Sequence, residues 1–406
     1  MEPKIRLKGF SEEWKSDVIG NIATFSKGRG YSKSDLTPEG NPIILYGRLY
    51  TKYSSIIDSV DTYAPLKSDS VLSKGNEVII PGSGETAEDI AVASSVEQKG
   101  VIIGGDLNIV TFDSDKIVPA FAAMSITNSI THYELSGYAQ GKTIVHIHND
   151  SISKGHLSYP SKDEQVAIVS YISSLDSLIQ STAKMIESLK QVKAASLQSM
   201  FPQEGETIPL IRFKGFEEEW KTIPVGKLGV WTKGRLLSKS DMVVDGKTPC
   251  IHYGELFVNY GAVINAVISK TNIDNGCYSK RGDILFPDSD VTPTGLARCS
   301  AIMVDDVLLG GGINILKVNK KYYSPFISYS INQEKGQIIS RVTGTTVRHI
   351  NSSALSEVLI KMPADIREQE KLADYFTIID TRIILQTQRL EKLKQIKSAC
   401  LDNMFV

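Results

Sequence analysis

No run of 18 or more apolar residues occurs in this 406-residue sequence, which excludes a membrane-spanning helix. The opening Met1-Glu-Pro-Lys-Ile-Arg6 lacks the apolar core of a secretory leader, so a cytoplasmic chain is expected. Only four cysteines are present, Cys250, Cys277, Cys299 and Cys400, all far apart. Without a Cys-x-x-Cys pair there is no zinc or disulfide framework, and a reducing compartment fits. The dipeptide Pro-Pro is missing, and with it the (Asn/Asp)-Pro-Pro-aromatic loop of amino-methyltransferases. No G-x-x-x-x-G-K-[ST] is present to cradle a nucleotide phosphate, and Gly82-Ser-Gly84 alone is too short a signal. Pro287-Asp288 resembles the start of a metal-dependent nuclease motif, but no acidic-x-Lys follows it. No Ser/His/Asp or Cys/His triad can be placed. The chain is therefore expected to be non-catalytic, with no metal or cofactor of its own. A net charge of −1 excludes a clamp that grips nucleic acid by bulk positive charge. Local basic faces remain open, because the field at a ligand depends on where charges sit.

What the sequence does contain is a copy of itself. Ile5-Arg-Leu-Lys-Gly-Phe-Ser-Glu-Glu-Trp14 returns 206 residues on as Ile211-Arg-Phe-Lys-Gly-Phe-Glu-Glu-Glu-Trp220. Lys27-Gly28-Arg29 returns as Lys233-Gly234-Arg235, and Val101–Asn108 (VIIGGDLN) as Val307–Asn314 (VLLGGGIN). Leu189-Lys-Gln191 matches Leu393-Lys-Gln395, and Met200-Phe201 matches Met404-Phe405. The matches keep their order, so the chain is a tandem duplication. Two copies are too few for a solenoid, and the expectation is a pseudo-twofold arrangement doing what a homodimer would do.

Each copy ends in a stretch free of Gly and Pro, entered just after a proline: about Glu164 to Phe201 after Pro160, and about Arg367 to Phe405 after Pro363. In the first, Ile168, Ile172, Leu175, Ile179, Ile186 and Leu189 step by three and four, with Thr182 in the one gap. In the second, Leu372, Phe376, Ile379, Ile383, Leu390 and Leu393 do the same, with Gln386 in the matching gap. This 3.5-residue repeat predicts a coiled-coil seam, and a polar residue at one core position fixes register. Two such helices packed antiparallel, each roughly 57 Å long for about 38 residues, would act as a spacer. The alternative is that each helix packs on its own globular domain.

The remaining sequence alternates short β-branched runs with loops and predicts two α+β domains. The strands expected are Glu77–Ile80, Val101–Ile103, Asn108–Thr111, Asp283–Phe286 and Asn314–Val318; Pro119–Ser136 and Pro325–Arg341 are expected to be helical. The resulting organisation is a domain over 1–160, a helix over 161–204, a second domain over 205–363 and a second helix over 364–406. Candidate nucleic-acid contacts lie in four loops that keep their frame between copies and change their polar tips. The first carries Lys27, Arg29 and Lys33, matched by Lys233, Arg235 and Lys239. The second has Tyr46 and Arg48 against Tyr253 and Glu255. The third has Ser83, Glu85 and Thr86 against Asp288, Ser289 and Thr292. The fourth has Lys142, Thr143 and His146 against Thr345, Thr346, Arg348 and His349. Arginine forks onto guanine, and a carboxylate accepts from a cytosine amine, so different tips suit two different short targets. His146-Ile-His148 could hold a metal from one strand face, but the second copy keeps only His349, with Asn351 in the other place, so no metal is expected.

In this order, doubled, the sequence resembles the specificity subunit of type I restriction-modification systems. The resemblance rests on Glu164-Gln165 and Glu368-Gln369 at the helix starts and on Lys-Gly-Phe-x-x-x-Trp ending at Trp14 and Trp220. Gly282-Asp-Ile-Leu-Phe286, and Gly344-Thr-Thr-Val followed by Ile350 and Leu355, add to it. It implies two target recognition domains that each read half of a bipartite double-stranded DNA site, joined by an antiparallel coiled coil. It also implies two methyltransferase subunits and restriction subunits as partners, which would use S-adenosylmethionine, ATP and Mg²⁺. The other reading open at this point is a coiled-coil protein-protein scaffold without DNA readout.

Overall fold

Each half of the duplication builds the same mixed α/β architecture in this computed structural model, which describes residues 2–406. The chain divides into two units: residues 1–182 with 389–406, and residues 183–388. In the first, a five-stranded sheet runs in the order Ala23–Lys27, Leu107–Phe112, Glu77–Pro81, Ser94–Val96, Ile56–Ile57. In the second, the order is Gly229–Lys233, Ile313–Val318, Asp283–Pro287, Ser300–Ile302, Val263–Ile264. Within both sheets the central pairs are antiparallel and the last pair is parallel. A smaller sheet packs beside each, built on Asn41–Ile44 in the first unit and on Thr248–Ile251 in the second. The central strands read as continuous apolar runs because they are buried on both faces, as at Val78, Ile79 and Ile80. The expected single helices each break in two. Pro119–Asn128 and Ile130–Gly137 separate at Ser129, whose extended backbone lets its hydroxyl accept from the Thr131 N–H at 3.1 Å. The counterpart in the second unit divides into Ser324–Gln333 and Lys335–Ile339.

The long helices span Lys162–Met200 and Ile366–Asn403. Among the described residues no helix is long and apolar enough to cross a membrane. Each unit takes the start of one long helix and the end of the other, and the two pieces lie antiparallel. Lys397 pairs with Asp176 at 2.5 Å in the first unit. In the second, Lys193 pairs with Asp380 at 2.5 Å, and the Ser196 and Tyr375 hydroxyls meet at 2.9 Å. Every residue of the expected seams is buried or half-buried, Thr182 and Gln386 included. The seam is not a pure two-helix contact, however. Ile168, Ile172 and Leu175 enter the core of the first globular domain, and Leu372 and Phe376 that of the second. The helix starts are thus anchored on their own domains and on the opposite helix end together. Phe405 completes the first core, its ring tilted against Phe121 with centroids 5.6 Å apart, and Phe121 is itself edge-on to Trp14 at 5.8 Å. Phe201 does the same in the second, 5.7 Å from Phe326 and 5.6 Å from Trp220. Burying such a ring is worth about 1.5–3 kcal/mol.

The Glu-Gln pair that opens each helix welds it to its domain. The Glu164 carboxylate is 1% exposed and takes both prongs of Arg6, each at 2.8 Å. Glu368, equally buried, takes Arg212 at 2.7 and 2.8 Å. Gln165 accepts from the Val118 N–H at 2.8 Å and donates to Lys116 O and Pro160 O. Gln369 accepts from the Tyr323 N–H at 3.0 Å and donates to Pro363 O. These forked ion pairs are geometrically specific because the guanidinium matches the carboxylate edge.

Candidate nucleic-acid interface

In each unit the edge of the five-stranded sheet and a separate two-stranded ribbon bring the same three side chains to one corner. Lys27 and Lys233 end their strands. The following glycines are obligatory: a Cβ at Gly28 would lie 1.9 Å from Gly104 O, and one at Gly234 2.0 Å from Gly310 O. This close approach turns the chain so that Arg29 and Arg235 project into solvent. The strand after Pro81 brings Ser83 opposite His146, and their side chains bond at 2.8 Å (Oγ to Nδ1). Ser289 and His349 repeat this at 2.9 Å in the second unit. The histidines sit on hairpins whose tips carry the exposed Lys142, Thr143, Thr345 and Thr346. Both hairpins turn on glycines of positive φ, Gly141 and Gly344, where a Cβ would lie 2.0 and 2.2 Å from a carbonyl oxygen of the same turn. Arg348 is tied back, donating to Gly344 O.

Beneath this corner lies a buried amide that the residue pattern did not single out. Asn108 donates to Ile147 O at 3.0 Å, and Asn314 donates to Ile350 O at 3.0 Å, fixing the segment just after each histidine. The only advance signal was that both asparagines close the repeated Val-to-Asn run.

The lysine finds different company in the two units. Lys27 Nζ stands 3.4 Å from His148 Nδ1. Lys233 Nζ instead pairs with Asp288 at 2.8 Å, whose other oxygen accepts from the Ser289 hydroxyl at 2.6 Å. His148 therefore belongs to this corner, although the sequence suggested it only as a metal ligand to be discounted.

Several expected contact residues also have structural jobs, and one of them is withdrawn from the surface. Glu255 is buried, accepting from the His252 N–H, the Ser269 hydroxyl and the Asn259 amide, so it cannot face a ligand. Thr86 and Thr292 cap short helices, accepting from the N–H of Asp89 and of Gly295. Arg48 is half-buried and paired with Asp61. Tyr253 lies half-buried against the His252 ring, centroids 4.5 Å apart, whereas Tyr46 is exposed. Burial holds His252 below the usual histidine range. Lys33 and Lys239 are exposed at the start of short helices closed by Ser32/Asp35 and Ser238/Asp241 capping boxes. A hydrogen bond from Lys67 holds the Asp35 carboxyl down to about 2. Glu85 stays exposed beside the corner, and its position in the second copy is taken by the exposed Val291. Cations, hydroxyls and imidazoles thus line each corner, a donor-rich surface suited to phosphates and base edges.

A family model described as the type I restriction modification DNA specificity domain matches this chain twice, over residues 11–191 and 217–395. A chain from Mycoplasma genitalium named as a type I specificity subunit is 20% identical, over 100% of this chain and 97% of the relative. The type I restriction enzyme MjaVIII specificity subunit of Methanocaldococcus jannaschii is 19% identical, over 96% of this chain and 92% of the relative. The crystal structure of a type I restriction-modification S subunit from M. genitalium superposes with a TM-score of 0.65 at 17% identity, covering 100% of this chain and 99% of that one.

Proposed function

The chain belongs to the type I restriction-modification DNA specificity family, as a specificity subunit with two target recognition domains, and from that premise we propose that each domain reads one half of a split duplex-DNA sequence. The observation that carries this is the corner built twice on one Lys, Ser–His and Asn frame with different chemistry at its tips. A frame held constant suits contacts that every duplex offers, and changed tips suit two different base sequences. The antiparallel helices set the gap between the half-sites. Two methyltransferase subunits dock on the subunit, and restriction subunits join through them; S-adenosylmethionine, ATP and Mg²⁺ belong to those partners. The chain itself contributes readout without catalysis, and acts in the cytoplasm. Its near-neutral charge suits a reader whose partners help enclose the DNA.

Selection from random duplexes, with the methyltransferase partner present, is expected to enrich two short motifs separated by a fixed gap. Insertion of one heptad into both long helices should lengthen the gap and leave both motifs unchanged. Enrichment of no split motif, or motifs that change with the insertion, would remove this reading.

A further inference from the structure

Two positions that face each other across one backbone bridge have exchanged residues between the copies. In the first unit they are Gly82 and Asp106; in the second, Asp288 and Gly312. The bridge is the same in both: the Gly82 N–H donates to Asp106 O at 2.7 Å, and the Asp288 N–H donates to Gly312 O at 2.9 Å. A Cβ placed on Gly82 would lie 2.5 Å from Asp106 Oδ1. The Asp106 carboxylate thus fills the space where the Asp288 side chain begins in the other unit. The exchange keeps one carboxylate at this corner and changes only the segment that supplies it, the turn before one strand or the residue after its neighbour.

Nothing in the fold of the first unit requires an acid there. Asp106 has a φ of 60°, a left-handed conformation that glycine adopts freely and that Gly312 occupies at the same place with a φ of 82°. Asp106 is exposed, and among the described residues its carboxylate has no hydrogen-bond or ion-pair partner. The half-buried Tyr50 hydroxyl nearby is raised above the usual phenol range by burial first, then by the charges of Asp89 and Asp106. Tyr50 in turn donates to Ser83 O at 2.8 Å, which sets the carboxylate beside the Ser83–His146 pair. In the second unit Asp288 is held by Ser289 and covered by Lys233, a side chain 60% exposed that a DNA phosphate can draw away.

We propose that Asp106 and Asp288 are equivalent specificity-determining residues, each accepting a hydrogen bond from the exocyclic amino group of one adenine or cytosine in its half-site. A carboxylate accepts only, and in the major groove the amino groups of adenine and cytosine are the donors that it can meet. The proposal rests on the split-site reading above.

The test is selection from random duplexes by the full chain with its methyltransferase partner, followed by competition with duplexes altered at each position. Asp106→Gly should relax an adenine-or-cytosine preference at one position of one half-site by about tenfold or more, leaving the other half-site unchanged. Asp288→Asn should do the same at one position of the other half-site. The double exchange Gly82→Asp with Asp106→Gly, which copies the second unit's arrangement, should restore the first preference. Thermal unfolding of Asp106→Gly, which removes a left-handed side chain, should be no lower than that of the parent. Motifs and competition unchanged by both single variants, or no restoration by the double exchange, would overturn the proposal while the split-site reading stood. A parent chain that enriched no split motif would overturn that reading, and this one with it.

Discussion

Lys27 in the first recognition domain neighbours a histidine, whereas Lys233 in the second is tied to an aspartate. The surroundings of these lysines are otherwise the same: the strand end, the obligatory glycine, the Ser–His pair and the buried asparagine below it. Away from the corner the likeness extends to the Arg–Glu forks and the Trp–Phe–Phe clusters. The units differ where side chains meet solvent: Glu85 against Val291, Lys142 against Thr345, and the exchanged Gly/Asp pair. The difference separates two jobs. What holds the domain together and to its helices is duplicated, as is the Lys and Ser–His frame of the corner; the tips beside that frame are not.

The largest effects should strike both units alike. Arg6→Ala and Arg212→Ala each leave a glutamate that is 1% exposed without its cation, and each should cost about 3–5 kcal/mol in denaturant unfolding. A large loss in one variant only would break the equivalence of the two welds. Asn108→Ala and Asn314→Ala come next, each stripping a buried donor from a carbonyl, with losses of about 1–3 kcal/mol. Both should also weaken DNA binding, measurable by titration of the cognate duplex, because the histidine hairpin loses its anchor.

Smaller effects should set the units apart. Asp176→Ala removes one partly exposed ion pair, for about 0.5–1 kcal/mol. Asp380→Ala also removes the shorter of the Tyr329 hydroxyl's two bonds, its donation to Asp380 at 2.8 Å, leaving only Thr377 at 3.5 Å, and should cost about 1 kcal/mol more. Equal losses would mean that the tyrosine contributes nothing. The smallest difference concerns acid. His252 is held below its ordinary range by burial, so the unfolded chain takes up its proton first as pH falls below about 6.5. Its contribution to stability is present above that pH and is lost on acidification. The matching residue in the first unit is Leu45, which does not titrate. His252→Leu should therefore reduce the fall in unfolding temperature between about pH 7.5 and 5.5; an unchanged fall would assign the acid sensitivity elsewhere.

The long helices were legible in the sequence because their cause is local: a proline, then apolar residues stepping by three and four with one polar gap. The central strands were legible for the same reason, as β-branched runs. What pairs across distance was not. Arg6 meets Glu164 and Ser83 meets His146 through the topology of the sheet, and no spacing along the chain encodes either contact. Glu255 misled because an acid replacing Arg48 in a loop reads as a changed tip, while its burial and its three donors are visible only in the fold. The Gly/Asp exchange was in plain sight as two separate differences. Only the bridge between Gly82 and Asp106 makes them one.

Each unit completes its core with the far end of the other copy's helix, and the two do so at different moments of synthesis. The second unit is one continuous segment, residues 183–388, and is wholly available once that segment has left the ribosome. The first, although it begins at residue 1, must wait for residues 389–406 before Phe405 can close over Phe121. The domain translated first is thus the last to be finished. A nonsense mutation after Gln388 would open the amino-terminal reader and spare the contiguous segment of its twin.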